Sequence, residues 1–182
     1  VLLAASLMFA ASASAHVVVY PKEASQGAYE VFSVRVPSEK PVPTVKVEVK
    51  FPLDSVAVSR VEPKPGWTYV LAKDANGGVL GVTWTATGDG LGAEEFTDFS
   101  MQGKVADQAT SITWKAYQTY KDGSIVEWTG AAGSDTPASV TKVVPATAGG
   151  SGGAAGNSMP LYLAAAALVI SLISLVMAWF RR

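Results

Sequence analysis

One histidine and no cysteine stand among the 182 residues, and those two counts narrow the available chemistry. Without a thiol there can be no disulfide, no blue-copper thiolate, no cysteine nucleophile and none of the usual zinc sets. With one imidazole, no intrachain site can use two, and no local motif marks a Ser–His pair for hydrolysis. The histidine is His16, and the residues before it give it a use. Positions 1–10 read VLLAASLMFA and 11–15 read ASASA. An apolar run too short to span a bilayer, closed by Ala13 and Ala15 in the A-x-A pattern, reads as a partial secretory signal over 1–15. Cleavage after Ala15 makes His16 the first mature residue.

A first-residue histidine is a different ligand from an internal one. Its α-amine and imidazole Nδ1 close a six-membered chelate ring on one metal ion. Amines of that kind and imidazoles both lose their protons near neutrality, at about 7.7–8.0 and about 6.5 respectively. Two nitrogens in one plane suit Cu(II), which heads the affinity series of the divalent first-row ions. A third donor must come from elsewhere, and a Glu or Asp oxygen is the type on offer. The alternative is a solvated first residue that binds nothing.

The segments that would have to position such a site alternate with period two. TVKVEVKF at 44–51 sets Val45, Val47 and Val49 on one face and Lys46, Glu48 and Lys50 on the other. YEVFSVRV at 29–36, GVLGVTWTAT at 78–87 and SITWKAYQTY at 111–120 are rich in β-branched and aromatic residues. Asn76-Gly77 and Asp122-Gly123 are hairpin-turn pairs, and prolines at 21, 37, 41, 43, 52, 63 and 65 deny long helices. The pattern predicts an all-β antiparallel sandwich of eight or nine short strands over residues 16–130.

Charged residues make up 16% of the chain, against roughly 25% in ordinary soluble domains. The apolar surplus gathers at the two ends. Residues 131–160 are mostly Ala, Gly, Ser, Thr and Pro and read as a flexible tether, although SVTKVV at 139–144 alternates weakly enough for a last strand. Leu161 to Phe180 is uniformly apolar and, at about 1.5 Å per residue, long enough to cross a hydrocarbon core as one helix. Arg181 and Arg182 favour a cytoplasmic end, so the expected protein sits in the cell membrane with its domain on the extracellular side. A net charge of −1 gives no basic surface for nucleic acid.

HVVVYPKEASQGAYEVFSVRVPSEK at 16–40, TVKVEVKFP at 44–52, PKPGW at 63–67 and EFTDF at 95–99 resemble the YcnI-like extracellular family. The most specific part is the cleavage site, the immediate histidine and the G-x-Y-E-x-F-x-V-R-V-P-S-E run. The resemblance implies a cupredoxin-like domain that binds Cu(II) without catalysis through a monohistidine brace. In that brace the mature histidine supplies amine and imidazole, a Glu supplies a carboxylate, and a Trp lies nearby. It also implies copper acquisition or trafficking, with a membrane copper transporter as partner. Carried onto this chain, the histidine is His16, the carboxylate Glu48 and the indole Trp128; Glu30 and Glu23, then Glu94 or Glu95, are the next carboxylates. An oxidative copper enzyme would need a second histidine. A metal-free adhesion or protein-binding sandwich is the competing expectation.

Overall fold

The computed structural model describes residues 16–146. The expected signal at 1–15, the tether from 147 onward and the helix at 161–180 lie outside the described residues. Eleven strands make up the domain: β1 Val18–Tyr20, β2 Glu23–Ser25, β3 Tyr29–Pro37, β4 Thr44–Lys50, β5 Val56–Val61, β6 Trp67–Lys73, β7 Val79–Ala86, β8 Phe96–Val105, β9 Ser111–Tyr120, β10 Ile125–Trp128 and β11 Ser139–Val144. One sheet runs β1-β3-β8-β5 and the other β2-β11-β9-β4-β7-β6, with β10 paired to β9 beyond the reach of β11. The all-β expectation holds, but the sandwich is not wholly antiparallel. β11 runs parallel to β2, with Lys142, Val143 and Val144 opposite Glu23, Ala24 and Ser25. β11 also lies inside the stretch expected as tether, so the folded domain continues past residue 130.

Alternation explains how the sheets face one another. In β9, Ile112, Trp114, Ala116, Gln118 and Tyr120 are buried, while the residues between them face outward or sit half-covered. Trp114 meets Phe32 of the opposite sheet at 4.8 Å and Phe51 at 5.4 Å between ring centroids. Trp84 and Trp67 pack on Phe99 at 5.0 and 4.9 Å. Pairs of this kind add about 0.5–1.5 kcal/mol each beyond the area they bury.

β4 departs from the expected alternation. Its register against β9 slips between Thr44 and Lys46, a bulge that leaves Val45 half-buried and turns Thr44 fully inward beside Val47 and Val49. An extra residue in one strand reverses which face its neighbours occupy. Thr44 is then locked by two backbone bonds with Leu91: its N–H donates to the Leu91 carbonyl, and Leu91 N–H donates back, each at 2.9 Å. Gly90 makes that approach possible. Its φ is +85°, and a Cβ there would collide with the Thr44 carbonyl.

Gly123, at φ +83°, has open space where a Cβ would stand. Gly123→Ala should therefore cost only the left-handed strain, about 1–2 kcal/mol. Gly90→Ala should cost clearly more, because a backbone atom must also move. Urea denaturation of the two variants checks this, and equal losses would remove the clash from the account.

Candidate metal centre

β1 pairs antiparallel with β3, with Val18, Val19 and Tyr20 opposite Arg35, Val34 and Ser33. Continued two residues upstream, that register brings His16 level with Pro37 at the end of β3. Val17 and Val19 anchor the segment in the core, and the Val19 N–H donates to Ser139 Oγ at 2.8 Å. His16 is left half-buried, with its imidazole against the indole of Trp128: the ring centroids are 5.6 Å apart and the planes 80° from parallel. Trp128 is the last residue of β10 and is 1% exposed. Two of the three residues expected at a site are thus brought together, one from each sheet.

Beneath them lies a buried polar group that sequence reasoning did not single out. Gln118 is fully buried, and its Oε1 accepts from Trp128 Nε1 at 3.1 Å. Its Nε2 donates to the Pro37 carbonyl and to Thr44 Oγ1, each at 2.8 Å. Next along β9, Tyr120 has its ring covered by Lys40 Nζ at 4.6 Å, and burial raises its hydroxyl above the ordinary tyrosine pKa.

The carboxylates separate by face and by position along the strands. Glu48 is not with the pair. It pairs across the sheet with Tyr117, which pairs with Glu127, so Glu48, Tyr117 and Glu127 share one face. Trp128, next to Glu127, points to the other face and into the core. Glu48 instead meets Lys50 Nζ at 3.2 Å, and that ammonium lies 4.7 Å from the Tyr117 ring centre. The expectation of Glu48 assumed that its strand adjoins the N-terminal one; the neighbours of β4 are β7 and β9. Glu30 pairs with Gly103, seven residues back along β3 from Pro37, which at about 3.3 Å per residue is roughly 23 Å. Glu23 is held by Lys142 at 3.2 Å. Glu94 takes a φ of +62° in the loop before β8. Glu95 does lie near the end of β3, since its carbonyl accepts from Ser38 N–H at 2.8 Å, but its carboxylate is engaged by Gly92 N–H at 2.7 Å. Another carboxylate at this end is Glu39, exposed and two residues past Pro37. It closes the V-P-S-E part of the run on which the family resemblance rests.

Among the described residues no three His, Cys, Asp or Glu side chains gather into a metal-binding group. A chelate made by the amine and imidazole of one residue does not require such a group.

The family model DUF1775, described as a domain of unknown function, matches residues 16–147, from His16 through the last strand. The chain belongs to the DUF1775 family. Within reach of this DUF1775 chain is the copper-binding protein CutI of Bacillus subtilis (strain 168), 41% identical over 184 residues that span 93% of this chain and 89% of that protein. The YcnI-like resemblance is thereby established. A protein from Nocardia farcinica, whose crystal structure is described as an immunoglobulin-like fold, superposes with a TM-score of 0.62 at 32% identity, covering 71% of this chain and 98% of that one. A cohesin module from a Clostridium perfringens family 33 glycoside hydrolase reaches 0.50 at 9% identity over 72% of this chain and 97% of its own, which speaks for the fold alone. The DUF1775 domain is an immunoglobulin-like all-β sandwich, so the sandwich expectation holds and the fold is described as immunoglobulin-like where cupredoxin-like was expected.

Trp128 supports the pair by volume and by its N–H, and two variants separate these. Trp128→Ala should lower the unfolding free energy by about 3–5 kcal/mol. Trp128→Phe keeps most of the ring but deprives Gln118 Oε1 of its donor, and should cost about 1–3 kcal/mol. Urea denaturation of the metal-free protein measures both.

Proposed function

We propose that this DUF1775 protein is a non-catalytic Cu(II)-binding protein. After signal cleavage, His16 holds the ion through its α-amine and Nδ1. The observation that carries the reading is the contact between His16 and Trp128, made by the first residue of the family match in a chain 41% identical to a copper-binding protein. The fit is one of donor chemistry. The half-buried imidazole keeps an open side, and Val17 and Val19 fix the backbone that carries the amine. Bound copper is cargo, and what the protein contributes is two nitrogens in a fixed bite, an indole wall and an oxygen donor. The Trp128 indole beside a cation is favourable by about 0.5–2 kcal/mol and bars solvent from one side.

For the oxygen donor we favour Glu39 over Glu48. Glu39 ends the segment that runs alongside His16, and its carboxylate is exposed and free to turn. Glu48 faces away and already has Lys50. The role fits an extracellular protein tethered by the apolar run at 161–180, taking up copper outside the membrane and passing it to a membrane transporter.

Copper titration against a competing chelator tests the ligands. Protein beginning at His16 should bind one Cu(II), and protein with one added residue before His16 should lose orders of magnitude in affinity, because an amide replaces the amine. Equal affinities would sink the brace and favour a metal-free binding module. Glu39→Ala should weaken binding at least about tenfold, or 1.4 kcal/mol. Glu48→Ala should leave binding unchanged and alter stability by less than about 1 kcal/mol, since it removes only a partly exposed ion pair.

A further inference from the structure

We propose that Gln118 is a positioning residue for the copper centre, holding the Trp128 indole and the end of β3 in place around His16. The inference rests on the copper reading above and assigns a part of it to a side chain that touches no metal.

The observation is a neutral amide at a core position with every side of it used. Residue 118 lies between Ala116 and Tyr120 on the inward face of β9, where alternation calls for an apolar side chain. A buried amide without partners costs roughly 1–3 kcal/mol in proteins. Gln118 avoids that cost through three bonds to three different strands: Trp128 on β10, Pro37 on β3 and Thr44 on β4. Only a carboxamide offers an acceptor to an indole N–H and two donors to oxygens without bringing a charge. Leucine would fill the space and leave an indole N–H, a carbonyl and a hydroxyl in need of partners.

The consequence falls on the geometry around His16. With Nε1–H committed to Gln118, the indole has one favourable orientation, the near-perpendicular contact with the imidazole. The same amide holds the Pro37 carbonyl, two residues before Glu39. Its third partner, Thr44, is fixed by the bulge and by the paired bonds to Leu91. One side chain thus ties the indole wall to the segment carrying the oxygen donor. Partners of this kind around metal ligands typically change affinity by about 10–100-fold when removed.

The experiment uses the full chain beginning at His16, solubilised in detergent, in four forms: wild type, Gln118→Met, Trp128→Phe and the double variant. Copper affinity is read by chelator competition, the Cu(II) hyperfine pattern by paramagnetic resonance, and the Trp128 indole proton in metal-free protein by 15N-detected hydrogen exchange. Gln118→Met should weaken copper about 10–100-fold, shift the hyperfine pattern and speed indole exchange. In the Trp128→Phe background the same substitution should cost clearly less, because the share that runs through the indole is already gone and only the bonds to Pro37 and Thr44 remain to be lost. Wild-type affinity and spectrum in Gln118→Met would overturn the proposal, and so would an equal loss in both backgrounds. Should Gln118→Met not fold, the wild type alone decides: its Trp128 indole proton must exchange more slowly than that of half-buried Trp67, and equal rates refute the clamp. Wild type that binds no copper would defeat the copper reading and this proposal with it. Copper that depends on the free amine but ignores Gln118 would defeat only this one.

Discussion

The pairing of Val18, Val19 and Tyr20 with Arg35, Val34 and Ser33 sets how far along the sandwich the N-terminal segment lies, and the rest of the site follows from it. A strand of three residues makes few hydrogen bonds of its own. Its register is held because Val17 and Val19 are buried, and a slip of one residue would turn both out to solvent. Ser139 Oγ, from the other sheet, pins the same segment by accepting from Val19 N–H. With the register fixed, His16 has one place to go, the end of the sandwich where β3 stops and β10 supplies Trp128.

That end also carries a buried amide in the core, Gln118. Elsewhere the space between the sheets is filled mainly by valines and by aromatic groups such as Phe32 and Phe51, with a second buried polar contact where Trp114 Nε1 donates to Thr141 Oγ1 at 3.0 Å. Around Gln118 the packing passes to directional contacts that bind three strands to one amide. Apolar packing keeps the sheets together but tolerates small rotations of a ring. Hydrogen bonds to an indole N–H do not, and a metal ligand set needs that narrower tolerance. The stretch from β4 to β9 thus serves two ends, a dry core below and a defined rim above.

Much of the fold was legible in residue order. Period-two stretches such as SITWKAYQTY marked the long strands, and Asp122-Gly123 marked a hairpin turn, the one joining β9 to β10. Short strands were not legible, because three residues in β1 or β2 carry too little alternation to stand out. The bulge in β4 was hidden for a related reason: Val45, Val47 and Val49 look like one face until pairing with β9 shows the slip. His16 and Trp128 were visible as residue types, and the structure brings them together. For the carboxylate, the face was readable and the neighbouring strands were not. Glu48 was correctly seen on the polar side of its strand, yet knowing which strands flank β4 requires the topology. Gln118 looked like an ordinary strand residue, since a buried amide is recognised only through its partners.

A single histidine makes the central claim unusually accessible to measurement. Growing the protein with only histidine enriched in 15N labels the His16 amine and imidazole nitrogens and no other side chain in the chain. Pulsed paramagnetic resonance of the Cu(II)-loaded protein, processed to begin at His16, then counts how many coordinated nitrogens belong to that residue. Two strongly coupled and inequivalent 15N nuclei are the predicted result, one from the α-amine and one from Nδ1. A single strongly coupled 15N, or none, would contradict the account.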